Sequence, residues 1–347
     1  MFLRAARQHD TANPSDLPVA SYILGGTTDQ LLNFFVFRGT IKTDAKAAYA
    51  QGTYDLTDKL SLTAGLRYSH EVKDFAQQFS MSFSDPYERG LPSPPVVNRS
   101  ATFHATTPKI GIQYQATPRT LIYASYSKGF RSGGFDLQSS PALGIILKPE
   151  RLTDYEGGVK TSLFDNRVKL NLAGFYYDYA NLQVGTSSGQ TFVIQNAGSA
   201  KLYGFEAEIV ATPAPRVMLD ANGAYLHSKF GHYLSTDPAR PNLPALGGDA
   251  GANTIDFRGN RLPNAPKITF HVAGEYTLPL DSGAVALRAE VEYSSRVYLN
   301  ANNLDIQSQP AYAKGNLFLT YRSDQRWHRA TPDLRSHRGL PLLVHGM

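Results

Sequence analysis

Leu60, Leu62, Ala64, Leu66 and Tyr68 alternate without a break with Ser61, Thr63, Gly65, Arg67 and Ser69. A period of two places one set on each face of an extended strand, apolar on one side and polar on the other. The pattern recurs along the chain in pairs joined by short breaks, so it predicts hairpins. Ala48, Ala50, Gly52, Tyr54 and Leu56 precede the break at 57–59, and Ile110, Ile112, Tyr114 and Ala116 precede Thr117-Pro118-Arg119. Proline fixes its own φ and cannot donate to a ladder, so the chain reverses there. The return arm, 120–130, carries apolar residues on both faces. Three further hairpins turn at 165–167, 212–216 and 279–283, and an eleventh strand ends Leu317, Leu319, Tyr321.

Two regularities select among all-β classes. Breaks of about three to five residues alternate with connections of roughly 15 to 35, as in outer-membrane barrels with short turns at one end and long loops at the other. In four strands that follow a short turn, a tyrosine stands eight positions after the first outward apolar residue: Leu60 to Tyr68, Val168 to Tyr176, Val217 to Tyr225 and Val285 to Tyr293. Eight residues at about 3.3 Å each make roughly 26 Å of strand, and a tilt near 40° leaves about 20 Å of height, close to an apolar band bounded by aromatic girdles. A soluble sandwich or propeller has the same alternation. It does not need strands of about 10 to 14 residues, where globular ones run about five or six. The polar faces carry Arg67, Lys160, Glu206, Glu208, Asp220, Arg288, Glu290 and Glu292, which suits a wet lumen. The expected fold is therefore an all-β, transmembrane antiparallel barrel, partial, with about 11 strands.

Composition excludes other classes. Without cysteine there is neither a disulfide framework nor a thiolate metal site. The formal charge of +5 is concentrated in residues 322–347, where five arginines face Asp324 and Asp333, and the rest of the chain is close to neutral. No basic patch for nucleic acid is expected. No run reaches the length of a spanning helix, and the first ten residues lack the apolar stretch of a secretory signal.

Four stretches carry a family resemblance: TPKIGIQY at 107–114, KGFRSGGFD at 128–136, DYEGGVKTSLFDNRVKLNLAGFYYDYANLQV at 154–184 and NAGSAKLYGFEAEI at 196–209. Together they resemble the barrel portion of TonB-dependent outer-membrane receptors of the siderophore type, over about residues 44–327. The resemblance implies a 22-stranded barrel closed by a plug, energised by the TonB complex through that plug, in the outer membrane of a Gram-negative bacterium, importing ferric chelates or similar scarce nutrients. This sequence shows neither a plug nor a TonB box. It is expected to be the C-terminal half of such a barrel, a fragment not competent alone. Residues 1–43 are expected to be a loop or truncated element, and 328–347, which lose the period, an irregular tail read out of frame. The alternative is a stand-alone outer-membrane barrel: a porin, an adhesin or a barrel enzyme.

No catalytic set is expected. Glu206/Glu208 and Glu290/Glu292 each share a face, which invites an acid–base reading, but polar lumen wall explains them. His227 and His232 lack a third ligand at useful spacing, so no metal or cofactor is expected. The ligand-binding candidates are Phe130, Arg131 and Phe135 in the glycine-rich loop at the outer mouth. An arginine among aromatics suits an anionic chelate.

Overall fold

The computed structural model describes residues 2–11, 33–83, 96–136, 146–188, 191–236 and 254–323. Twelve long strands form one sheet: β1 (Phe2–Thr11), β2 (Asn33–Thr57), β3 (Leu60–Phe83), β4 (Val97–Thr117), β5 (Thr120–Arg131), β6 (Glu150–Leu163), β7 (Val168–Ala180), β8 (Ser199–Ala214), β9 (Val217–Phe230), β10 (Ile268–Leu280), β11 (Gly283–Ser294) and β12 (Tyr312–Ser323). Every strand pairs antiparallel with its neighbour in the chain. The result is a meander with no crossovers, open between β1 and β12 among the described residues.

The turns explain why all the short connections lie at one end. Residues 58–59, 118–119, 164–167, 215–216 and 281–282 close them. Phe164, Asp165 and Asn166 adopt positive φ, as does Arg216, a conformation that reverses the chain within a few residues and that Asn and Asp tolerate best. Adjacent turns are tied together: Arg119 Nη1 lies 3.0 Å from Asp165 Oδ1.

Register decides which residues share a face, because directly paired residues point the same way. Ile110, Tyr126, Tyr155, Tyr176 and Tyr203 form one continuous row across β4–β8. Tyr126 and Tyr155 rings are 5.2 Å apart, Phe205 stacks on Tyr225 at 5.5 Å and Phe270 on Tyr293 at 5.1 Å. Tyr68, Tyr176, Tyr225 and Tyr293 all stand on this face. A second aromatic row, Tyr54, Tyr114, Tyr276 and Tyr321, lies on the same face near the tight turns. Between the rows the face is aliphatic, and nothing among the described residues covers it: Leu66 is 54% and Leu319 59% exposed. The opposite, polar face is the sheltered one, for the Arg288 side chain is 23% and Glu290 15% exposed. An apolar outside with a sheltered polar inside inverts a soluble protein, and a bilayer is the solvent that rewards it.

The packed apolar cluster lies in the long connections. Val184, Ala197, Phe230, Tyr233, Phe257, Leu262 and Ala301 meet there with Ala200, beside short paired segments such as Gln183–Ser188 with Thr191–Asn196.

The eleven expected strands are all present, with β1 as a twelfth. The stretch 1–43, expected as loop or truncated element, contains β1 and nearly half of β2. β3 and β4 also run into the 77–100 region, beyond the strictly alternating stretches. Beyond the apolar band the outward face no longer has to be apolar, so hydropathy stops alternating while the ladder continues. The tail 328–347 lies outside the described residues.

Candidate functional site

On the polar face, four neighbouring strands build a charged wall. Arg288 on β11 donates two hydrogen bonds to Asp220 on β9, at 2.7 and 3.0 Å, across the intervening β10. His271 on β10 lies 3.7 Å from Asp220 and 3.5 Å from Glu290. Asn316 on β12 donates to the other Glu290 oxygen at 3.1 Å. Ligand atoms of His271, Glu290 and Glu292 fall within 4.8 Å of one another. Glu290, however, already accepts from Asn316 of β12 at one oxygen and from Arg288 of its own strand at the other, so both oxygens are engaged. Glu208 accepts from Asn171 at 2.9 Å and Glu156 from Tyr123 at 2.8 Å. These carboxylates brace the wall.

The glycine-rich loop closes over the same face. Phe135, 7% exposed, stacks on Phe75 of β3 at 4.8 Å. A Cβ at Gly133 would stand 2.2 Å from the Leu147 carbonyl oxygen and 2.4 Å from the Phe103 ring, so only glycine passes there. Lys73 Nζ donates to the Gly133 carbonyl at 2.8 Å. Gln183 Nε2 donates to the Ser132 and Lys148 carbonyls, and Asp136 accepts from the Ile194 amide at 2.9 Å.

Phe130, Arg131 and Phe135 do not converge. Phe130 pairs in register with Arg151 and shares the apolar face with Tyr126, while Arg131 pairs with Glu150 and points to the polar side. The Arg131 guanidinium is 66% exposed at the rim, 4.0 Å from Glu150. Sequence reasoning missed Lys73, Phe75, Phe103 and Gln183, which hold the loop. The first three lie where β3 and β4 outrun the apolar band, and no periodicity marks them.

Of the two histidines, His227 stacks on Tyr203 at 4.6 Å. His232 is hydrogen-bonded to Asp256 at 2.9 Å in the outer connections. Asp256 also accepts the Tyr233 and Arg258 amides at 3.0 and 3.1 Å. The Tyr233 amide first, then His232, hold its carboxyl down at about 2 from the usual 3.8. A carboxyl depressed on folding contributes above its ordinary value and loses that contribution as pH falls through the folded one. Amide protection at Tyr233 and Arg258 is therefore expected to drop between about pH 4 and about pH 2. Asp256→Asn should remove the acid step, and equal protection across that window in the native chain would show that the carboxylate does not hold this connection.

A family described as TonB dependent receptor-like, beta-barrel, matches residues 5–335. The metal-pseudopaline receptor CntO of Pseudomonas aeruginosa is 31% identical over 176 residues, covering 50% of this chain and 21% of that protein. The pesticin receptor of Yersinia pestis is 25% identical over 245 residues, covering 69% of this chain and 34% of the receptor. The chain thus spans between a fifth and about a third of the length of these relatives. Among solved structures, the ferric yersiniabactin uptake receptor FyuA from Yersinia pestis superposes with a TM-score of 0.66 at 21% identity, over 84% of this chain and 41% of that one. The siderophore receptor PiuA from Acinetobacter baumannii gives 0.60 at 21% identity, over 82% and 37%. At that identity the likeness is one of fold.

Proposed function

The chain belongs to the TonB-dependent receptor β-barrel family, and from that premise we propose that it forms part of the wall of an outer-membrane receptor that takes up a ferric chelate. The observation that carries this reading is the inverted sheet, with an uncovered aliphatic face held between two aromatic rows and a charged, sheltered face behind it. In that reading the charged face lines the lumen, where a plug would sit and respond to the TonB complex. CntO is named for metal-pseudopaline, FyuA for ferric yersiniabactin and PiuA for a siderophore, which supports that class of ligand. The work of the site is binding and passage, without bond chemistry, since the wall carboxylates are engaged by arginine, asparagine and tyrosine.

Arg131 is the rim group we assign to the chelate, with Phe135 fixing the loop behind it. Its guanidinium is exposed and only loosely held by Glu150, so it is available to a carboxylate or catecholate oxygen. A hydrogen bond to a charged group contributes about 1.5–3 kcal/mol, so Arg131→Ala is expected to weaken chelate binding roughly tenfold to a hundredfold. The assay titrates outer membranes from cells expressing the protein at its native locus with ferric catecholates, hydroxamates and mixed carboxylate chelates, using radiolabelled iron. Unchanged affinity in the variant for every chelate retained removes Arg131 from the site. Retention of no chelate class removes the cargo assignment itself.

A further inference from the structure

The ladder between β4 and β5 ends at Lys109 paired with Ser127, although β4 continues along β3 and β5 continues along β6 as far as Arg131. One residue accounts for it. The Gln115 amide donates to the Lys59 carbonyl at 2.7 Å, so odd-numbered amides of β4 face β3 and even-numbered ones face β5. The even position after Lys109, going up the strand, is Pro108, which has no N–H to offer β5. Above it the seam parts into a groove of about 450 Å³.

Register places this groove on the apolar face. Lys128, Thr153, Asp178, Lys201 and Lys229 form a row across β5–β9, immediately above the row of Tyr126, Tyr155, Tyr176 and Tyr203. His104, Lys128, Phe130, Arg151 and Thr153 line the groove, with Asp178 its one acidic group. Among the described residues no ion pair forms at Lys128 or Arg151, and both are exposed.

We propose that the groove binds the phosphate group of an anionic lipid, whose acyl chains lie down the aliphatic face below. The aromatic row marks the edge of the hydrocarbon, so a site two to four residues beyond it along the strands lies among headgroups. Anionic headgroups attract basic residues at this depth. Arg151 suits bidentate contact with phosphate oxygens and Lys128 adds a point charge, while the Thr153 hydroxyl is a further donor. Phe130, in register with Arg151, stands at the upper end of the groove, on the side away from the aromatic row.

The inference rests on the membrane-spanning reading, and its test separates the two. The full chain, purified in maltoside micelles, is offered a bis-phosphorylated glucosamine lipid or phosphatidylcholine, and retained lipid is counted by native mass spectrometry. The phosphorylated lipid should be retained about tenfold more than phosphatidylcholine. Lys128→Gln with Arg151→Gln should remove that preference, while Lys109→Gln on the polar face should keep it. A hundredfold excess of inorganic phosphate should displace little, because the acyl chains also bind; full displacement would show a phosphate site with no lipid component and overturn the proposal. Retention of phosphatidylcholine by the double variant reports that its fold persists. A double variant that keeps the preference overturns the headgroup site and leaves the spanning face standing. Retention of neither lipid by the native chain overturns both.

Discussion

Arginine in place of Leu172 is expected to cost about 2–4 kcal/mol when the protein is folded into lipid vesicles. Leu172 stands midway along β7, paired with Val159 and Ala207 on the aliphatic face, and is 45% exposed. In water, an exposed leucine of this kind tolerates arginine within about 0.5 kcal/mol. At the middle of a hydrocarbon layer the guanidinium must instead be dragged from its hydration. The measurement is the urea midpoint of folding into vesicles, with Gln113→Arg on the polar face as the control expected to stay within about 0.5 kcal/mol. Equal tolerance at the two positions would mean that the aliphatic face does not meet lipid.

The second large effect is expected at Gly204, where alanine should destabilise the sheet by about 3 kcal/mol. Gly204 on β8 pairs with Phe175 on one side and Leu226 on the other. A Cβ built there would lie 1.9 Å from the Tyr225 carbonyl oxygen and 3.0 Å from the Phe175 ring. The obstacle is backbone, so relief requires β9 to move and its ladder bonds to lengthen. Phe175, stacked on Tyr177 at 4.8 Å, cannot retreat freely either. Gly52, where an added Cβ meets nothing within 4 Å, serves as the control: its alanine variant should be neutral or slightly stabilising. A Gly204→Ala protein that unfolds at the native midpoint would refute this account of the seam.

The strands were legible wherever a bilayer-facing side forces every second residue to be apolar. Leu60 to Tyr68 and Val217 to Tyr225 announce both their period and their upper limit. Once β2, β3 and β4 leave that band the constraint lifts, and Lys42, Glu71, Lys73 and Thr102 follow no period although the ladder continues. The outer apolar cluster was illegible for another reason. Val184, Phe257 and Ala301 come from three separate connections, and only the fold brings them together. The rim was half legible. Glycines at 133 and 134 marked a tight path, but adjacent residues on a strand point to opposite faces, and that rule alone separates Phe130 from Arg131.

The placement of the tight turns has a consequence for how such a chain can change. A residue added between β2 and β3 at 58–59 shifts β3 by one against β2, exchanging its faces and presenting Ser61 and Arg67 to hydrocarbon. A residue added to a long connection alters no register, and lengthening an open loop costs little more than its closure entropy. Insertions and deletions are therefore tolerated at one rim and forbidden at the other. The outer connections can change in length while the wall stays unchanged.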